Sequence, residues 1–246
     1  MEKKVSLIVG GSGGIGFETA KFLHNKGMDV CLTYYSNEEK IRKKLKEYKL
    51  ETLEFYKINV RDEESIKNAI SDMLKKYKKI DSVVYSVSSS IINKKINDLD
   101  WHDFQEHIDV QIKGLFILVK AFLPLIKDNH KMKFVIVLTE GCIGKPPSML
   151  PHYVTAKYGL MGFVKCMASE LILNNCTFNM VSPGMVKTDL LANFPPKLIE
   201  LTTYNNPMKR IAEPEDIAKV IYFLISDNSD YLNGVNIIVN GGNIFI

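Results

Sequence analysis

The sequence predicts an α/β domain built on a doubly wound parallel sheet with helices on both faces. Three observations predict it. Short apolar runs alternate with longer amphipathic stretches along all 246 residues. The run Phe134-Val135-Ile136-Val137-Leu138 has no polar face, as a central parallel strand covered on both sides requires. No internal repeat, low-complexity tract or Pro/Ser-rich linker breaks the alternation, so residues 1–246 read as a single domain.

The elements follow in order. Residues 5–9 form a buried strand, glycines follow at once, and residues 15–26 have helical period. Residues 28–34 are a second strand, and residues 38–48 a helix with Ile41, Leu45 and Tyr48 on one face. Strands at 53–58 and 80–85 flank a helix at 63–77. A helix at 109–126, the strand at 134–138, a helix at 153–173 and strands at 178–181 and 235–239 bring the sheet to about seven strands. The basic residues of 40–49 and the group Lys75, Lys76, Lys78 and Lys79 fall on polar helix faces and read as solvated surface. Residues 185–210 are long for a connection and carry Leu190, Leu191, Phe194, Leu198, Ile199 and Tyr204, which predicts an apolar lid at the ligand edge of the sheet.

Composition narrows the class. At 46% hydrophobic and 24% charged residues, the chain can bury a large core, which excludes a disordered protein or a disulfide-stapled mini-fold. The net charge, 32 minus 28 or +4, is spread over the domain and gives no nucleic-acid-binding face. Cys31, Cys142, Cys166 and Cys176 lack C-x-x-C pairing and zinc-like His spacing, so they read as separate thiols with no metal site. The apolar stretch 114–126 is broken by Lys120 and Pro124, short of the ~20 residues of a bilayer span. The charged start Met1-Glu2-Lys3-Lys4 leads into too short an apolar run for a secretion signal. A soluble cytoplasmic protein with neither membrane nor nucleic acid as partner is expected.

Gly10-Gly11-Ser12-Gly13-Gly14-Ile15-Gly16 joins the first strand to the first helix. Glycines there permit a tight turn and let the backbone approach a pyrophosphate, while the helix N-terminus offers free N–H groups and a positive dipole end. The spacing of Gly10, Gly14 and Gly16 is G-x-x-x-G-x-G, and Tyr153-Val154-Thr155-Ala156-Lys157 lies downstream. Together these resemble the short-chain dehydrogenase/reductases over essentially the whole chain. Asn59-Val60, Pro183-Gly184 with Thr188, Arg210 with Pro214-Glu215-Asp216, and Asn240-Gly241-Gly242 match as well. The stretches Gly144-Lys145-Pro146-Pro147, His152 to Lys157 and Met180 to Met185 look like the 3-oxoacyl-carrier-protein reductase branch.

The resemblance implies a Rossmann fold and assigns roles. Gly10, Ser12, Gly14, Ile15 and Gly16 would cradle the dinucleotide, Ser36 would face the adenosine ribose, and Asn59 and Val60 the adenine. Ser86 belongs to the loop that lines the ribose side, while Pro183, Gly184, Val186 and Thr188 would hold the nicotinamide amide and pyrophosphate. An NAD site usually has a carboxylate at the end of the second strand to bind the ribose 2′-OH. Here the stretch is Tyr34-Tyr35-Ser36-Asn37, which favours NADP(H) over NAD(H). The usual arginine partner of a 2′-phosphate is missing, leaving Ser36, Asn37 and Lys40, and Glu38 and Glu39 count the other way.

Hydride transfer to a carbonyl leaves an alkoxide that needs a proton. A tyrosine with its pKa near ~10 is too weakly ionised for the reverse step at neutral pH, and a lysine one helical turn on favours the phenolate. Tyr153 is therefore the candidate proton donor, and Lys157 its pKa-lowering and ribose-binding partner. Three positions depart from the family. Its serine, thirteen residues before the tyrosine, is Glu140; its relay asparagine is Gln111; its N-N-A-G loop is Tyr85-Ser86-Val87-Ser88. A protonated Glu140 would donate to the carbonyl as the serine does. Thr139 carries a hydroxyl, but neighbours on a strand point to opposite faces, so it serves only if the backbone turns there.

Two readings stay open: a reductase of a small-molecule or carrier-bound carbonyl, and a silent dinucleotide-binding homologue acting as a partner or scaffold. Enoyl reduction is a third, which the four-residue Tyr–Lys spacing opposes, since that branch spaces the pair by seven. His152 reads as a surface residue. The helices at 109–126 and 153–173 are apolar around more than one face, and Asn243-Ile244-Phe245-Ile246 is apolar too; both predict a homo-oligomer, dimer or tetramer.

Overall fold

Every strand pairing in the computed structural model, which describes residues 3–127 and 130–245, is parallel. The strands are β1 (Val5–Val9), β2 (Asp29–Tyr34), β3 (Glu54–Lys57), β4 (Ser82–Tyr85), β5 (Met132–Val137), β6 (Cys176–Pro183) and β7 (Asn236–Val239). They lie in the order β3-β2-β1-β4-β5-β6-β7. The order reverses between β1 and β4, and a crevice opens at such a switch point beyond the C-terminal strand ends. Among the described residues, no helix is long and apolar enough to cross a membrane. Met1, Glu2 and Ile246, which entered the sequence reading, lie outside the described residues.

Two helical layers cover the sheet, and the period-2 alternation of the strands decides which side chain meets which layer. Leu7 and Val9 of β1 face a cluster with α3 (Glu63–Tyr77), α5 (Gly114–Lys127) and α6 (Pro151–Glu170). Ile8 between them faces the cluster with α1 (Gly14–Asn25), α2 (Glu38–Glu47) and α8 (Pro214–Ile225). Phe134 and Phe178 stack at 4.3 Å across β5 and β6, with Phe122 of α5 edge-on at 5.9 Å.

The helix expected at 109–126 begins earlier. Asp100 and Asp103 form a capping box that starts α4 (Trp101–Ile108), and one wide π-type turn over Asp109–Lys113 joins it to α5. Such a turn adds a residue and frees a carbonyl, and it tends to occur at functional sites. The Tyr85 hydroxyl donates to the Val110 carbonyl in that turn, at 2.6 Å. Gly114 makes room, because a Cβ there would sit 2.4 Å from the Tyr85 hydroxyl oxygen. Residues 185–210 fold as a short 3-10 turn (Asp189–Asn193) and α7 (Pro196–Asn205) above the sheet edge.

Candidate active site

The glycine loop is close-packed by contact rather than by sequence habit. Gly10 has φ of +90°, and a Cβ there would lie 2.4 Å from the Ser86 carbonyl oxygen. A Cβ on Gly16 would lie 2.3 Å from the Gly10 carbonyl oxygen, so α1 starts directly on the end of β1. Its free N–H groups and positive dipole end therefore open onto the switch-point crevice.

The candidate binding residues gather there in two cavities. One, of about 520 Å³, is lined by Gly10, Ser12, Ser36, Asn59, Val60 and Ser86. The other, of about 360 Å³, is lined by Ile15, Tyr153, Pro183, Gly184, Val186 and Thr188, with Glu140 at its wall. Gly14 and Gly16 act by packing, Gly14 standing against Thr188, where a Cβ would meet Cγ2 at 2.5 Å. Ser86 and Val87 of the altered loop still line the first cavity, and the Ser86 N–H donates to the Val9 carbonyl at 2.9 Å. Two cavities over a glycine-lined helix N-terminus at the switch point fit a dinucleotide.

Tyr153 stands at the second cavity on the first turns of α6. Its oxygen is withdrawn from solvent, and that desolvation pushes the phenol up to about 12. The Thr139 hydroxyl stands near the phenol and pulls the value down. Lys157, one turn on, is buried and donates from Nζ to the Val137 carbonyl at 2.7 Å. Its Nζ lies 5.9 Å from the Tyr153 ring centre, and burial pushes its ammonium down to about 8.

The partner expected at Tyr153 was Glu140; the structure brings Thr139 there instead. β5 ends at Val137, Thr139 is still extended (φ −159°, ψ 148°), and the chain then turns tightly through Glu140–Cys142. The turn sends the two neighbours apart. Glu140 points toward Gly184 and the segment after β7, where Oε2 accepts from Asn243 Nδ2 at 3.2 Å. A carboxylate placed there does not oppose a phenolate at Tyr153.

Gln111 sits fully buried in the wide turn, behind the cavity rather than in it. Its Nε2 lies 3.0 Å from His107 Nδ1, one turn earlier, and its Oε1 has no protein partner. His107 is held down to about 4, by burial first and then by His152 and Lys157. A neutral ring with its Nδ1 facing an amide accepts from that amide, which fixes Gln111 with its oxygen pointing away. The reading of His152 as a surface residue is overturned. It is 3% exposed, its ring centre 4.9 Å from that of His107, and its Nδ1 is unpartnered. His107 also meets the Tyr153 ring edge-on at 5.8 Å. Sequence reasoning missed His107, although its i, i+4 spacing from Gln111 on a helix was a usable signal.

A doubly wound sheet with a glycine cradle at its switch point, and a Tyr–Lys pair one helix away, defines a dinucleotide-dependent oxidoreductase frame. Relatives narrow the class. Residues 10–243 match the family model described as enoyl-(acyl carrier protein) reductase. The chain is 32% identical over 246 residues to 3-oxoacyl-(acyl-carrier-protein) reductase FabG of Rickettsia conorii, covering 99% of this chain and 98% of that one. It is 30% identical over 247 residues to the FabG of Thermotoga maritima, covering 98% of each. A 3-ketoacyl-(acyl-carrier-protein) reductase from Brucella melitensis, solved in complex with NADH, shares the fold with a TM-score of 0.90 at 23% identity over 98% of each chain. This chain belongs to the short-chain dehydrogenase/reductase family.

Proposed function

We propose that the chain reduces a ketone of the 3-oxoacyl type to an alcohol, preferring NADP(H) to NAD(H). The observation that carries this reading is the Thr139 hydroxyl beside the Tyr153 phenol, with the Lys157 ammonium one turn below. The bound nicotinamide supplies the hydride. Thr139 and Tyr153 hold the carbonyl oxygen between two hydroxyls, and Tyr153 gives it a proton as charge builds. Lys157, tied to the Val137 carbonyl, keeps a positive charge near the phenolate that remains. Gln111, His107 of α4 and His152 of α6 support that wall of the site. The four-residue spacing of Tyr153 and Lys157 favours carbonyl over enoyl reduction.

Substrate and cofactor preferences rest on the cavity walls. Leu190, Leu191, Phe194 and Leu198 of the 185–210 lid line the second cavity, which suits an acyl chain, free or carrier-bound. Glu38, the carboxylate nearest the end of β2, accepts from the Tyr34 hydroxyl at 2.7 Å and pairs with Arg42 at 2.6 Å, so it is not free for a ribose 2′-OH. Phe116 and Tyr158 stand exposed on α5 and α6, with Phe163 edge-on to Phe116 at 6.3 Å, which supports a homo-oligomer joined through these helices. The free state of all four thiols accords with a reducing, cytoplasmic compartment.

NADPH oxidation with 3-oxoacyl thioesters and simple diketones tests the reading. Turnover is expected, and Tyr153→Phe is expected to lower kcat by about 10²- to 10⁴-fold. NADPH binding without oxidation by any ketone would instead support the silent-homologue reading. The pH profile carries a second expectation. Lys157 is charged below about 8 and neutral above it, so kcat holds through neutrality and falls above about pH 8. Lys157→Arg, which keeps its charge, is expected to move that fall upward or remove it.

A further inference from the structure

Tyr35 stands at the end of β2, where the sequence lacks the usual arginine. The sheet order β3-β2-β1 places this end between the end of β3 and the glycine loop. From the β3 side, the Arg61 guanidinium lies over the Tyr35 ring, 5.9 Å from its centre, and lines the first cavity. From the β1 side, Lys44 of α2 donates from Nζ to the Ser12 carbonyl at 3.3 Å, on the lip of the same cavity.

Four cations surround this strand end, and carboxylates divide them. Lys40, the sequence candidate, is paired with Asp189 at 2.8 Å, and Arg42 is paired with Glu38. Arg61 and Lys44 make no ion pair with a carboxylate among the described residues, although Lys44 acts on Asp189 from a distance, and both are only partly exposed. Of the four, these two are free of an ion pair, Arg61 sharing the first cavity with Ser36 and Lys44 reaching Ser12 on its lip. An unpaired guanidinium stacked on an aromatic face is preorganised for a phosphate fork, and an ammonium adds a point charge.

We infer that Arg61 and Lys44 are the cofactor-selecting residues, holding the 2′-phosphate of the dinucleotide from either side of Ser36. The inference rests on the proposed NADP(H) reading and gives it specific side chains. Arg61 takes the place of the absent arginine from a neighbouring strand, with Tyr35 as its platform.

Fluorescence titration of the full chain with NADPH and NADH tests it. Arg61→Ala is expected to weaken NADPH about 10- to 100-fold and NADH no more than about 3-fold. Lys44→Ala is expected to weaken NADPH by about 3- to 10-fold with the same asymmetry, and Arg61→Lys to retain part of the preference. The NADH affinity is the folding control. Equal losses for both dinucleotides would make Arg61 an adenine-stacking residue and overturn the inference, as would no loss at all. Failure of the unmodified chain to bind either dinucleotide would overturn the function proposed above, and the inference with it.

Discussion

Thr139→Ala is expected to lower kcat for carbonyl reduction by about 10²- to 10³-fold, the usual effect of removing one donor to a developing oxyanion. Glu140→Gln is expected to stay within a few-fold of the unmodified chain. Thr139→Ser keeps the hydroxyl and should keep most of the rate. The ranking follows from the turn after β5, which gives Tyr153 the Thr139 hydroxyl and gives Asn243 the Glu140 carboxylate. A glutamine at 140 can still accept from Asn243, so it tests the charge without removing the contact. Steady-state rates of the three variants decide the matter. A collapse in Glu140→Gln with little change in Thr139→Ala would return the proton-donating role to Glu140.

The electrostatics favour this arrangement for a second reason. Tyr153 already carries a desolvation penalty that pushes its phenol up to about 12. An ionised carboxylate in contact would raise it further and oppose the reverse reaction. Glu140 is instead turned toward Asn243, which donates to its Oε2.

The parallel frame was legible because it rests on periodicity. Buried β-branched runs and amphipathic helices leave few alternatives, and the glycine loop adds a contact requirement that Gly10 and Gly16 meet literally. The Tyr153–Lys157 pair stood out through the family resemblance and the upstream glycine loop, with its four-residue spacing setting the two one helical turn apart. What could not be read was decided by tertiary geometry. The partner of Tyr153 depended on where β5 stops and the chain bends, a one-residue matter that alternation alone leaves open. His152 sits in the first turn of α6 and reads as exposed, until α4 packs over it with Phe104 and His107. Lys44 belongs to a helix whose polar face is mostly solvated, yet its length lets the ammonium reach Ser12. Arg61 gains meaning only when β3 is set beside β2.

Acidification from about pH 6.5 to 4 is expected to remove about 3 kcal/mol of folding stability through His107 alone. His107 is 3% exposed and held neutral, its pKa lowered from 6.5 to about 4. Burial is the main cause, His152 and Lys157 add to it, and Asp103 pulls the other way. Above pH 6.5 the ring is neutral in both folded and unfolded chains, and nothing is lost. Between 6.5 and 4 the unfolded chain binds a proton that the folded chain refuses, so stability falls as pH falls. Below 4 both are charged and the loss is complete. Urea unfolding of the chain and of His107→Gln at pH 7.5 and 4.5 measures this, and the stability gap between them should shift toward the variant at the lower pH. Parallel curves would mean that the ring takes up a proton in place. The consequence reaches the site, because a protonated Nδ1 cannot accept from Gln111. The amide must then turn or move, and His107 packs edge-on against the Tyr153 ring. In the folded chain this protonation comes only near pH 4, so activity of the folded chain should hold across the window in which stability falls and drop at its acid end.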